Sequence, residues 1–244
     1  QRKKGGVLEH YQGEKGEERL VRKELPNVAI EHYEGERGEE SKVREERHEG
    51  LVIYFKGKNG VERRVSSRCA DGDVYHFRGK RDKERLARIE NADGEVRDFE
   101  GGRGSERCVR RQRKNGDVSH FEGRKGEERM VMVTRPNGTI WHYSSGRDGE
   151  EIMTHISYPS GDVQHYSGKR GKERLVRAEH SDGVVQHFKG KRGEERIEWT
   201  EFPNGEVHRF KGEKSRERLV RLELADGAVC HYEGDCGEER KRRV

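Results

Sequence analysis

Apolar side chains are scarce in this chain: 28% of its 244 residues are hydrophobic and 41% are charged. A composition this polar lies near that of disordered chains, where burial cannot offset chain entropy, so a fold must draw on something beyond bulk hydrophobicity. No run approaches the ~20 apolar residues of a membrane-spanning helix, and the opening Gln1-Arg2-Lys3-Lys4 has no signal-peptide apolar region. Helical periodicity is absent throughout. The four cysteines, Cys69, Cys108, Cys230 and Cys236, have no paired spacing that would hold zinc or staple a small secreted fold. They read as free thiols in a reducing, intracellular and cytoplasmic setting.

A block of one charge sign is also missing. The net charge of +5 is a small residue of 53 basic and 48 acidic side chains interleaved along the whole length. Nucleic-acid proteins usually gather positive charge on one face or arm, so nucleic acid is a disfavoured partner. The chain begins without methionine and stops in mid-repeat at Lys241-Arg242-Arg243-Val244, as expected of a segment of something longer.

What the chain has is repetition. Aromatic residues stand at Tyr11, Tyr33, Phe55, Phe77, Phe99, Phe121, Tyr143, Tyr166, Phe188, Phe210 and Tyr232, spaced 22 apart with one step of 23. The extra residue falls within Tyr143-Ser144-Ser145-Gly146, which reads as a loop, where insertions are tolerated. Three residues before each aromatic stands Val, Ile or Leu, and seven copies carry Asp-Gly or Asn-Gly just ahead of it, from Asp71-Gly72 to Asp226-Gly227. These dipeptides suit a two-residue type I′ turn and mark chain reversals. After the aromatic, a glycine-rich charged loop such as Gly190-Lys191-Arg192-Gly193 leads to Arg-Leu-Val-Arg-x-Glu, as at Arg174 to Glu179.

One copy therefore reads as strand, glycine loop, strand, tight turn, with strands of about seven residues. A four-residue loop places Phe188 opposite Ile197, and a two-residue turn places Arg177 on the other side of Phe188. One face then repeats aromatic, leucine-like and arginine positions, with guanidinium groups on rings; the other carries the histidines and valines. Neither face is apolar enough to be buried under a second layer. The expected fold is all-β: an elongated, twisted, largely single-layer antiparallel meander of about eleven hairpins, one repeat array over residues 1–244.

Tyr33-Glu34-Gly35 and Tyr232-Glu233-Gly234, with the Asp-Gly and Asn-Gly dipeptides, resemble the MORN repeat, a hairpin module of nearly the same length. The chain departs from that family where Arg-Leu-Val-Arg replaces its second-strand glycines. The resemblance implies an elongated sheet used as a scaffold that touches membrane lipid or pairs with another copy.

Eight copies place histidine just before the aromatic: His10, His32, His76, His120, His142, His165, His187 and His231. Equivalent strands of a meander lie two spacings apart, ~9.6 Å, too far to share a metal whose ligand nitrogens sit at ~2 Å from it. No metal or other cofactor is expected; the histidines read as solvated or paired across strands. The basic loops offer Lys169, Arg170, Lys191 and Arg192 to an anion, yet no helix follows them and Glu194-Glu195 neutralises the second pair. Catalysis needs one asymmetric group of side chains in a sheltered pocket, whereas here the same groups recur in every copy. The chain reads as non-enzymatic.

The pattern breaks in the middle. All three methionines and both tryptophans lie between residues 130 and 199. Met130, Met132, Trp141, Met153, Tyr158 and Trp199 are the candidate docking residues, because such side chains are enriched at interface centres. The expected function is a scaffold binding a protein partner, a larger assembly or a second copy. The alternative is an adaptor for a membrane surface or an anionic ligand.

Overall fold

In a computed structural model, the structure describes residues 1–4, 6–146 and 149–242. The described residues contain strands and no helix. The chain packs as two units, 1–116 with 123–128, and 117–122 with 129–244.

The first unit contains β1 (Arg2–Lys4), β2 (Val7–Gln12), β3 (Arg19–Leu25), β4 (Ala29–Glu34), β5 (Ser41–Arg47), β6 (Val52–Lys56), β7 (Arg63–Arg68), β8 (Val74–Arg78), β9 (Arg85–Glu90), β10 (Val96–Glu100) and β11 (Arg107–Gln112). The second contains β12 (Val118–Glu122), β13 (Arg129–Thr134), β14 (Ile140–Ser145), β15 (Glu151–Ser157), β16 (Val163–Ser167), β17 (Arg174–Glu179), β18 (Val185–Lys189), β19 (Arg196–Glu201), β20 (Val207–Lys211), β21 (Arg218–Glu223), β22 (Val229–Glu233) and β23 (Arg240–Lys241). Within each unit every strand pairs antiparallel with the next in sequence, and packing runs between neighbours, extending one strand further, among the described residues, only from β13 to β15. Each unit is thus a single-layer antiparallel meander of hairpins.

Two details of register differ from expectation, and together they decide which side chains share a face. The tight turns are three-residue loops. Gly72 N–H donates to Cys69 O at 3.1 Å, and Cys69 N–H donates to Asp73 O at 2.9 Å. Gly72 has φ +97°, while Asp71 before it is not left-handed, so this is a type I turn closed by a glycine bulge and not a type I′ turn. The Asp or Asn earns its place through its side chain: Asp71 Oδ1 accepts Asp73 N–H at 3.0 Å, and Asn137, Asp182, Asn204 and Asp226 repeat the bond. Consequently Arg177 stands opposite His187, not Phe188.

The second detail is a β-bulge in the second strand of the hairpins. Phe188 pairs with Ile197 as expected, but His187 pairs with Trp199, leaving Glu198 as the extra residue. Val21, Val43, Val65, Val176 and Val220 fill the same place. A one-residue offset transfers every later side chain to the opposite face. The Arg and Glu columns therefore join the histidines, while the aromatic and leucine-like columns stay together.

On the aromatic face, the row between aromatics buries Ser119 to 2% exposure, Thr200 to 4%, Ile53 and Ala178 to 5%, and Ile156 to 7%, while Ala29, at 2%, lies at the turn end of its strand. This thin stripe is the only core that a one-layer sheet can build. The inserted residue of the seventh copy is taken into the ladder instead of a loop: β14 and β15 gain the pair Ser145 and Glu151. Arg147 and Asp148 beyond it, like the terminal Arg243 and Val244, lie outside the described residues.

Candidate functional site

On the histidine face the repeat builds a recurring triad. His10 Nε2 lies 2.9 Å from Glu24 Oε1, and Arg22 Nη2 meets the same oxygen at 3.2 Å. His32, Glu46 and Arg44 repeat this at 2.8 and 3.2 Å, as do His165, Glu179 and Arg177 at 2.8 and 2.8 Å. In the copy of Trp199, the indole replaces arginine: it stacks on His187 with centroids 4.1 Å apart, and Nε1–H donates to Glu201 Oε1 at 3.0 Å. Burial holds the His187 imidazole below its ordinary pKa, against the opposing pull of Glu201. Beside Trp199 lies an open hollow of about 770 Å³, lined also by Lys189, Arg196, Arg209, Lys211, Arg221 and His231. Much of its positive charge is compensated, since Glu223 Oε1 meets Arg209 Nε at 2.7 Å and Arg221 Nε at 3.1 Å.

The aromatic face is apolar in the sixth and seventh copies and charged in the second. Val133 pairs with Trp141, Trp141 with Ile156, and Tyr143 with Met153, while Met130 stands beside Phe121. The Arg135 guanidinium covers the Trp141 ring at 4.3 Å. In the second copy, Lys42 Nζ instead meets Glu31 at 3.0 Å and Glu45 at 2.8 Å, and sits 4.4 Å from the Phe55 ring centroid. Of the cations on rings here, Lys42 and Arg64 come from the leucine-like column, Lys23 from the row between aromatics and Arg135 from a turn, and none of these from the arginine column.

The candidate docking residues are thus divided. Met130, Trp141 and Met153 share the aromatic face; Met132 and Trp199 belong to the histidine face. Tyr158 opens a turn, where its hydroxyl donates to Gln164 Oε1 at 2.9 Å.

The loops carry two connections that sequence reading missed. The glutamate before each second strand is present in all eleven copies, from Glu18 to Glu239, and that invariance was the available signal. Its carboxylate bridges repeats: Glu40 Oε1 accepts Leu20 N–H and Oε2 accepts Gly38 N–H, and the bond to the preceding repeat recurs at Glu62, Glu84, Glu217 and Glu239. The loop cations donate to the glycine carbonyl of the preceding loop, as Lys214 Nζ does to Gly193 O at 2.9 Å and Arg192 does to Gly171 O. Of the four proposed anion ligands, Arg192 is therefore engaged within the array; Lys169, Arg170 and Lys191 are exposed loop residues. The third missed residue is His155, which pairs with His142 on one side and His165 on the other.

No family model matches the chain, and no curated protein matches it. Among solved structures, one titled "Crystal Structure of TcdB2-TccC3-TEV" is 9% identical with a TM-score of 0.23, covering 89% of this chain and 13% of that one. Another, titled "Crystal Structure of TcdB2-TccC3", is 11% identical with a TM-score of 0.21, covering 94% of this chain and 15% of that one. A third, of the Photorhabdus luminescens Tc holotoxin pore, is 11% identical with a TM-score of 0.20, covering 92% and 14%. The chain spans about an eighth to a seventh of the length of these matches, and a likeness this low carries no inference about fold or function.

Proposed function

We propose that the chain is a non-enzymatic repeat scaffold that binds a protein partner, or a second copy, through the aromatic face around Trp141 and Met153. The observation that carries this reading is the cross-strand row Val133, Trp141 and Ile156 beside Tyr143 and Met153. At the positions of Trp141 and Val133, the first and second copies place the charged residues Glu9, Lys23, Glu31 and Glu45. The MORN-like spacing of Tyr-x-Gly and Asp-Gly supports the same reading, as does the recurrence of the His–Glu–Arg triads along the chain. The four free thiols fit a reducing, intracellular setting. The adaptor reading through basic loops is less well supported, because Arg192 and Lys214 use donors on neighbouring glycine carbonyls.

Trp141→Arg with Met153→Glu tests the reading. Self-association in sedimentation, or capture of a partner, should fall while the far-UV β signal persists, because repeat arrays lose single contacts without global collapse. Loss of the β signal would make these residues structural. Flotation with anionic vesicles that disappears at high salt, and is unaffected by the double change, would favour the adaptor instead.

A further inference from the structure

The separation of equivalent histidines argues against metal binding along the array, and it fails at one place. His155 occupies the strand between His142 and His165, in the column that elsewhere carries Arg22, Arg44 and Arg177. Three imidazoles therefore stand on consecutive strands of one face. The His142 and His155 rings are stacked with centroids 3.9 Å apart and an interplanar angle of 11°; His155 and His165 are 5.8 Å apart.

Carboxylates are also missing where other copies have them. His10, His32 and His165 each meet a glutamate, but the position that would serve His142 is Ser157. Thr154 Oγ1 lies 3.2 Å from His142 O and 3.2 Å from His155 Nδ1. A hydroxyl that donates to the carbonyl can accept only from Nδ1–H, which leaves the lone pair of His155 on Nε2. Holding the second ring nitrogen in this way is how ligand histidines are commonly oriented. Burial disfavours the charged form of His142, and burial together with the neighbouring His142 and His165 does the same for His155.

We propose that His142 and His155, joined by His165, bind one late transition-metal dication of the kind imidazole favours, such as Zn²⁺ or Cu²⁺. Among the described residues no three donors of the His, Cys, Asp and Glu types already surround a common point. Binding therefore requires the stacked rings to rotate. Two nitrogens sharing one ion at ~2.1 Å lie ~3.0–3.4 Å apart with their in-plane lone pairs converging on it, so the near-parallel rings, whose centroids are 3.9 Å apart, must turn out of their stack about the side-chain torsions, a movement open to two side chains directly opposite on neighbouring strands. Met132, opposite His142 on the next strand, adds a thioether that would favour copper. The site lies on the face opposite Trp141 and does not depend on the docking reading.

The test is titration of the full chain with ZnCl₂ and with CuCl₂, followed by calorimetry and thermal melting. One ion per chain should bind saturably and raise Tm. His155→Phe keeps a stacked ring and removes both nitrogens; it should weaken binding about tenfold or more, with an unchanged far-UV spectrum. Thr154→Val, which touches no ion, should weaken it about tenfold. His32→Gln, in an ordinary triad, should bind as the parent does. If His155→Phe misfolds, His142→Phe gives the same comparison from the neighbouring strand. No saturable uptake of either ion, binding unaffected in the Phe variants, or equal losses in His32→Gln would overturn the proposal.

Discussion

Glu40 Oε1 accepts the backbone N–H of Leu20 at 3.1 Å, so a carboxylate in one repeat satisfies the backbone of the repeat before it. Glu84 makes the equivalent bond to Arg64 N–H at 3.2 Å. In an array whose core is one stripe of small side chains, such connections between repeats carry much of the cooperativity. Glu84→Ala should cost about 1 kcal/mol or somewhat more, the usual scale for a hydrogen bond to a charged group discounted for partial exposure. The urea midpoint would report it. An unchanged midpoint would mean that the bond to Arg64 N–H adds nothing to stability.

The same bonds set an acid limit. The Glu40 carboxyl is held below its ordinary range by its own backbone amide and by those of Leu20 and Gly38; Glu106 is held low in the same way by its own amide, Gly104 and Leu86. A group with a depressed folded-state pKa lends stability above its unfolded value, near pH ~4.3, and loses it as pH falls through the folded value. Tm should therefore drop steeply below about pH 4, and Glu40→Gln should flatten that drop. An unaltered slope would count against the bridging role.

A separate window lies higher. His142 and His155 are depressed as well, so the unfolded chain takes up protons first, below about pH 6.5. Stability should decline between about pH 7 and 5, and His155→Phe should remove part of that decline without touching the acid limb below pH ~4. A parent and variant with parallel profiles would show that the stacked rings titrate normally.

Phe188 opposite Ile197 was legible in the sequence, because loop length and the alternation of faces determine it. So were the hairpin, its period and its single layer. The position of Arg177 was not: Asp-Gly suits both a two-residue and a three-residue turn, and the choice moves the register by one. The bulge at Glu198 was hidden for a related reason, since an extra residue leaves no mark in a strand such as Arg196–Glu201, which has no strict alternation of apolar and polar residues to interrupt. Those two offsets together sent Trp199 and Met132 to one face and Trp141 and Met153 to the other. His155 escaped notice because it stands in the arginine column, outside the histidine register.

Backbone strain gives a prediction of opposite sign. Asp82 and Ser215 occupy the loop position that other copies give to glycines such as Gly104, with φ 61° and 63°. Asp82→Gly and Ser215→Gly should each stabilise by about 0.5–1 kcal/mol. Gly104→Ala, where an added Cβ meets nothing within 4 Å, should cost about 1 kcal/mol. Gly101→Ala should cost more, because its Cβ would fall 2.5 Å from Ser105 O. Melting curves that reversed this order would show that loop conformation is not what these positions select.

The repeat as folding unit is tested most directly by two deletions compared in one melting experiment. Removing residues 188–209, one period of 22, joins His187 to Phe210 and preserves the pairing of every remaining strand. Removing residues 188–198, half a period, leaves His187 running into Trp199 and brings two segments of opposite direction into one strand. The full-period variant should keep the parent's far-UV β spectrum per residue and a single cooperative transition, while the half-period variant loses both. Equal damage from the two deletions would contradict the account.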